Sequence, residues 1–283
     1  MNVYEVITAR ILESLASGVV PWRKPWTTDA PRNLVSRREY SGVNVLLLQA
    51  SHFSSPYWLT YRQAQALGGS VKRGERGCPI VFWKVSNREE SDGTVGKSFL
   101  LRYFTVFNVR QTEGINVPQA PKRRAFDADA ECERIVAGYA NPPGIQHGGA
   151  QACYIPALDK VQLPDRERFS SAAEYYSTLF HELAHSTGAE HRLARKGVVS
   201  AAAYSNHGYA FEELVAECGA AFLASEAGIS PATLNNSAAY IASWAKRLKS
   251  EPRWIVEAAS QAAKAVDLIL GRSARESVAE EAA

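Results

Sequence analysis

One five-residue stretch restricts this chain more than any other: His181-Glu182-Leu183-Ala184-His185. On a helix, residues four apart lie on one face, so both imidazoles can aim at a single ion. Ala173, Tyr176, Leu179 and Phe180 precede the motif at helical spacing, which predicts such a helix over 169–187. Glu182 sits one step round from His181, where a carboxylate reaches a metal-bound water without being a ligand. This is the sequence form of a zinc hydrolase site. The plainer reading, an amphipathic helix with two surface histidines, has to explain away the acidic helix that follows downstream.

A catalytic zinc takes three protein ligands and keeps one position open. Two residues compete for the third place. His191 completes H-E-x-x-H-x-x-G-x-x-H, in which Gly188 would turn the chain back toward the ion. Glu213 lies on the next predicted helix, 208–225, and shares a face with Glu217. The His181-to-His191 pattern goes with a methionine turn beneath the metal, and the only methionine here is Met1. The preference therefore goes to Glu213 as ligand, with His191 as the alternative and Glu217 accepting a ligand histidine's N–H. Glu182 is then the general base for a zinc-bound water. Tyr209 and His207 are weak candidates for a donor to the oxyanion. Zn2+ is the default for a His/His/Glu set, with Mn2+ or Co2+ able to replace it.

Charge divides the chain. Residues 1–124 carry 18 Lys+Arg against 9 Asp+Glu, whereas residues 125–283 carry 14 against 20. A net +9 half beside a net −6 half suggests two domains with different partners, the basic one facing a polyanion. The four cysteines form no C-x-x-C pair, and no basic-then-apolar leader opens the chain. Both observations point to reduced thiols and a cytoplasmic location. No apolar run is long enough to span a membrane, so no membrane partner is expected.

The pattern along the chain predicts an α+β protein of two domains. An opening helix carries Val3, Ile7, Ile11, Leu12 and Leu15, and an apolar run follows at Val43–Leu48. Alternation over Cys78–Val85 and Ser98–Val109 predicts a long hairpin. Residues 1–115 form the first expected domain, 116–125 a linker, 126–272 a mainly helical domain with a small sheet, and 273–283 a disordered tail. Strands are predicted around Ala152–Tyr154 and Lys160–Leu163, with further helices over Phe126–Tyr139, 231–249 and 252–271.

The basic half interleaves rings with cations. Trp22, Arg23, Lys24 and Trp26 stand together, followed by Asn33, Arg38, Tyr40, Asn44 and Trp58, then Lys72, Arg73 and Arg76. Bases stacking on rings and phosphates meeting Lys and Arg is how single-stranded nucleic acid is held. The competing reading places the tryptophans in a core and the cations on a solvated face.

The order of these segments resembles the ArdC-type antirestriction proteins of conjugative plasmids. The likeness rests on Pro21-Trp22, Pro25-Trp26, Pro31-Arg32-Asn33, Tyr40-Ser41-Gly42-Val43-Asn44, Trp58-Leu59-Thr60 and Lys72 to Gly77 in the first half. In the second half it rests on Tyr154-Ile155-Pro156 with Asp159, Leu163-Pro164, Tyr175-Tyr176, His181 to His185, Thr187-Gly188 and Glu212 to Glu217. It implies an N-terminal domain that binds single-stranded DNA, a C-terminal zincin-like metallopeptidase domain, and protection of incoming plasmid DNA from host restriction. Two other readings stay open at this level: a DNA-binding protein with a non-catalytic metal site, and a cytoplasmic regulatory zinc protease.

Overall fold

A computed structural model of the chain describes residues 2–22, 30–51, 53–89, 95–118, 128–199, 206–229 and 238–272. The expected tail, 273–283, lies outside these residues, as does all of the expected linker beyond residue 118. The described residues fall into two compact units. The first takes residues 2–11 and 30–118, and the second takes 12–22 and 128–272. The first helix, α1 (Val3–Ala16), thus contributes to both, and Ile7, Ile11 and Leu15 along it are at most 1 % exposed.

The first unit is built on a four-stranded sheet. Its elements are β1 (Arg32–Asn33), α2 (Val43–Gln49), β2 (Tyr57–Thr60), α3 (Tyr61–Ala66), β3 (Ser70–Val71), β4 (Cys78–Glu89), β5 (Val95–Asn108) and β6 (Thr112–Glu113). The strand order is β1-β2-β5-β4, while β3 and β6 pair separately. The expected hairpin is present as β4 and β5, in register from Cys78 opposite Val106 to Glu89 opposite Val95. The apolar run after Gly42 becomes the helix α2, which packs on β4. Asn44 joins the two, accepting from the Val81 amide at 2.7 Å and donating to the Val81 carbonyl at 2.8 Å. A side-chain amide thereby supplies the ladder partner that β4, as the edge strand, lacks. Thr60 and Gln63 form a reciprocal cap that starts α3 directly from the end of β2.

The second unit is mainly helical. It contains α4 (Ala128–Gly138), β7 (Gly144–His147), β8 (Cys153–Ile155), β9 (Lys160–Leu163), α5 (Ala172–Ser186), α6 (Lys196–Val199), α7 (Asn206–Glu226), α8 (Ala238–Ser250) and α9 (Trp254–Ile269). The sheet order is β7-β9-β8, with β7 parallel and β8 antiparallel to β9. Strand β7 was absent from the sequence expectation, because Gly144-Ile145-Gln146-His147 carries too little alternation to read as a strand. Helix α5 packs against this sheet on one side and α7 on another, and α7 packs in turn on α9.

Residues 12–22 join this unit through Trp22. Its indole is 2 % exposed, packs edge-on against Trp244 with ring centroids 5.8 Å apart, and donates to the Tyr240 hydroxyl at 3.2 Å.

Candidate metal centre

The motif helix is fixed at both ends by its own sequence. The Ser171 hydroxyl accepts from the Glu174 amide and caps the start of α5. At the far end the chain turns at Thr187-Gly188, where the Gly188 amide donates to the His185 carbonyl. Between these ends Phe180, Leu183 and Ala184 are wholly buried, which leaves His181 and His185 together on one edge of the core. Ala184 faces Gly219 of α7, where a Cβ would fall 2.9 Å from the Ala184 Cβ. This close approach of α5 and α7 carries Glu213 across to both histidines.

The resulting cluster is compact. Single ligand atoms of His181, His185 and Glu213 all lie within 4.8 Å of one another. The Glu213 carboxylate is 3.6 Å from His181 Nε2 and 3.4 Å from His185 Nε2. Two imidazole nitrogens and a carboxylate oxygen converging this closely suit a divalent ion. Burial opposes ionisation of Glu213, but hydrogen bonds to His181 and His185 outweigh it and hold the carboxyl far below the usual range. Burial likewise opposes charge on His185, yet its hydrogen bonds to Glu212 and Glu213 push its pKa up to about 9. Without an ion, the centre thus holds a proton on His185 at neutral pH.

Glu182, the expected general base, lies on α5 next to His181 and is 7 % exposed. Tyr209 stands one helical turn before Glu213 and is 59 % exposed. Partial burial and the nearby charges of Glu213 and Glu182 raise its phenol to about 12, so it stays a hydrogen-bond donor at neutral pH. His207 instead packs edge-on against Trp254 at 4.7 Å.

The group behind the histidines differs from the sequence expectation. Glu217 was expected to orient a histidine, but its carboxylate accepts from the Tyr240 hydroxyl at 3.0 Å. The neighbouring Glu212 faces His185 instead, 3.4 Å from its Nδ1. Glu212 is itself held by a buried arginine. Arg195 Nε lies 3.2 and 3.1 Å from the two Glu212 oxygens. The same guanidinium donates to the Thr187 hydroxyl at 2.6 Å and to the Ala184 carbonyl at 2.8 Å. It therefore closes the C-terminal end of the motif helix, where a cation is favoured, while fixing the carboxylate that faces His185. Gly188 makes room for this segment: a Cβ there would lie 2.5 Å from Val198 Cγ2 and 3.0 Å from Arg195 Nη2. The signal in the sequence was the pair Arg195 and Glu212, but no local spacing connects residues 17 apart.

His191 is placed elsewhere. Its imidazole is 56 % exposed and 3.4 Å from Asp159 Oδ2. Asp159 is gripped bidentately by Arg192 at 2.7 and 2.8 Å. The turn after α5 thus ties to the strand region through Asp159, and His191 belongs to that tie.

In the first unit the expected nucleic-acid residues separate into two sets. Tyr40, Asn44 and Trp58 are buried at 7, 5 and 2 % exposure. Asn33 spends its side chain on a turn, accepting from the amides of Val35 and Ser36 and donating to Gln63. Trp22 packs within the second unit, as described above. Arg23, Lys24 and Trp26 lie outside the described residues. Arg38, Lys72, Arg73 and Arg76 are exposed cations. Among the described residues of this unit the large exposed rings are Tyr61, which follows Trp58 in the basic, aromatic run, and Tyr103 on β5, each 51 % exposed. Alternation along β5 was legible, but which face is solvated depends on the packing of the sheet.

A two-histidine, one-glutamate centre between packed helices above a small sheet defines a zincin-like domain, and residues 130–261 match the zincin-like metallopeptidase family. Residues 1–107 match the N-terminal domain of anti-restriction factor ArdC. The chain belongs to the ArdC-type antirestriction family. It is 37 % identical to the antirestriction ArdC protein from the R388 plasmid, whose metal-free crystal structure superposes with a TM-score of 0.77 over 95 % of this chain and 97 % of that one. The Mn(II)-bound crystal structure of the same protein gives a TM-score of 0.78 at 36 % identity, over 96 and 98 %. The uncharacterized protein y4eC of Sinorhizobium fredii is 35 % identical over 94 % of this chain and 91 % of its own length. A DNA primase TraC of Escherichia coli is 36 % identical over 94 % of this chain, which spans only 27 % of that larger protein.

Proposed function

We propose that this protein is an antirestriction factor that binds single-stranded DNA through its first unit and carries a zinc peptidase centre in its second, protecting incoming plasmid DNA from host restriction. The observation that carries the enzymatic part is the convergence of His181, His185 and Glu213 within 4.8 Å, with Glu182 beside them on α5. An ion held by those three would polarise a scissile carbonyl and lower the pKa of its water. Glu182 takes the proton, and Glu212 holds His185 in the tautomer that presents Nε2 to the ion. A purely structural site needs no general base, so the retained Glu182 favours hydrolysis over a non-catalytic role. Zinc is the metal that the donor set favours; the Mn(II)-bound relative supports a divalent ion in general.

For the DNA-binding part, the supports are family membership and the net +9 charge of residues 1–124. No helix among the described residues is long and apolar enough to cross a membrane. The test is a peptidase screen of the metal-loaded protein, with and without single-stranded DNA. Glu182→Gln should keep metal and DNA binding while removing cleavage, and undiminished cleavage would refute the assigned base. DNA affinity should fall steeply with added salt; a flat salt response would refute binding through phosphates.

A further inference from the structure

The first unit contains a cavity lined by its own described residues. It opens to solvent, holds about 340 Å³, and is lined by residues of the Lys72–Gly77 turn, by Arg10 of α1 and by the segment after α2. That volume lies at the lower end for small-molecule sites, about 300–1,000 Å³, and suits one nucleotide unit rather than a duplex. Its chemistry is mixed in an informative way. Phe53 and Trp58, packed edge-on at 5.5 Å, give it an aromatic wall. Arg10 and Arg76 both line it and are exposed. Among the described residues the Arg76 guanidinium takes no hydrogen bond or ion pair, so it is available to an anion.

The same lining carries a carboxylate, Glu75. It is not left to swing: Gln111 Nε2 donates to Glu75 Oε2 at 2.9 Å and to the Arg76 carbonyl at 2.9 Å. Gln111 is in turn fixed by accepting from the Asn108 amide at 2.8 Å, and it is 2 % exposed. A buried amide thus pins the turn from behind and holds an acceptor-only group at the lining of a basic, aromatic recess. A lone carboxylate in a site for phosphates is unfavourable unless it reads something. Of the four DNA bases, guanine alone offers two adjacent donors, N1–H and N2–H, to a carboxylate's two oxygens. Adenine and cytosine offer one amino group beside an acceptor, and thymine one imino N–H between two acceptors, which a carboxylate repels.

We propose that this cavity admits a single unstacked base of single-stranded DNA and that Glu75 selects guanine through a bidentate contact, with Arg76 taking the adjoining phosphate. The proposal rests on the reading of the first unit as a single-strand binder. The full-length protein is titrated with an oligothymidylate, the same strand with one central guanine, and the same strand with one central adenine or cytosine. The guanine strand should bind about five-fold tighter or more than each of the others, as a bidentate base contact gives. Glu75→Gln, which keeps an oxygen for Gln111 to donate to, should remove that preference without weakening oligothymidylate binding. Arg76→Ala should weaken all strands alike. Equal binding of all strands by wild type, or a guanine preference that survives Glu75→Gln, overturns the assignment of the cavity while leaving single-strand binding intact. No binding of any strand overturns the reading beneath it as well. Binding of free deoxyguanosine monophosphate with no strand bound would assign the cavity to a mononucleotide and overturn the proposal in its strand form.

Discussion

Replacing Arg195 with methionine should destabilise the second unit by an amount that the structure allows to be worked out. Arg195 and Glu212 expose 6 and 5 % of their side chains, so the substitution strands a carboxylate in the interior. Breaking a buried pair from one side costs about 3–5 kcal/mol, because the remaining charge loses its counter-charge and has no water to replace it. Two contributions pull in opposite directions. The Thr187 hydroxyl and Ala184 carbonyl lose a charged donor, which adds to the cost. A protonated His185, 3.4 Å from Glu212, offsets part of it. A net loss near 3 kcal/mol corresponds to a fall in Tm of about 10 °C for a domain of this size.

The pH dependence identifies the cause. In the wild type Glu212 is held below its ordinary 4.5, chiefly by His185 and Arg195 against the opposing effect of burial. Its contribution to stability is therefore present above that pH and is lost as pH falls through the lowered folded value. In Arg195→Met the carboxyl can neutralise by protonation, so the gap to wild type should be widest above pH 5 and should narrow on acidification. Thermal unfolding of the metal-free protein, followed by circular dichroism across pH, measures this. Arg195→Met/Glu212→Met should regain most of the loss, since a buried pair replaced by apolar side chains is close to neutral. A loss below about 1 kcal/mol, or a double variant as unstable as the single one, would refute the unpaired-charge reasoning.

Four further outcomes follow from the same geometry. Metal binding must expel the His185 proton, so affinity measured against a competing chelator should rise with pH up to about 9 and level off above it; a pH-independent affinity would contradict the raised pKa. Because that pKa is raised, His185 stabilises the metal-free fold below its ordinary 6.5, and this stabilisation is lost as pH rises through about 9. Glu213→Ala should lower metal content far more than His191→Ala, as measured by elemental analysis; the reverse order would move the third ligand to His191. Trp22→Ala should cost about 3–5 kcal/mol of stability by emptying its place against Trp244, with little change in DNA affinity at a temperature where it stays folded. A large loss of DNA binding without loss of stability would return Trp22 to the interface.

Local sequence determined the parts of this protein that depend on spacing along one element. His181, Glu182 and His185 lie on one helix, so a period of 3.6 residues suffices to place them together. The hairpin of β4 and β5 was legible for the same reason, with a period of two. Family resemblance and charge asymmetry pointed to the two-part construction without any coordinates.

What only the tertiary structure decided is which face of each element meets which neighbour. Glu212, Glu213 and Glu217 share one helix, and the close approach of Ala184 and Gly219 selects Glu213 for the cluster, Glu212 for His185 Nδ1 and Glu217 for Tyr240. Trp22, Tyr40 and Trp58 resemble a stacking platform in sequence, but apolar burial claims their rings and leaves Tyr61 and Tyr103 outside. Burial and long-range pairing are properties of the packed chain. A residue's identity limits what it can do there, and its distance from residues remote in sequence decides which of those things it does.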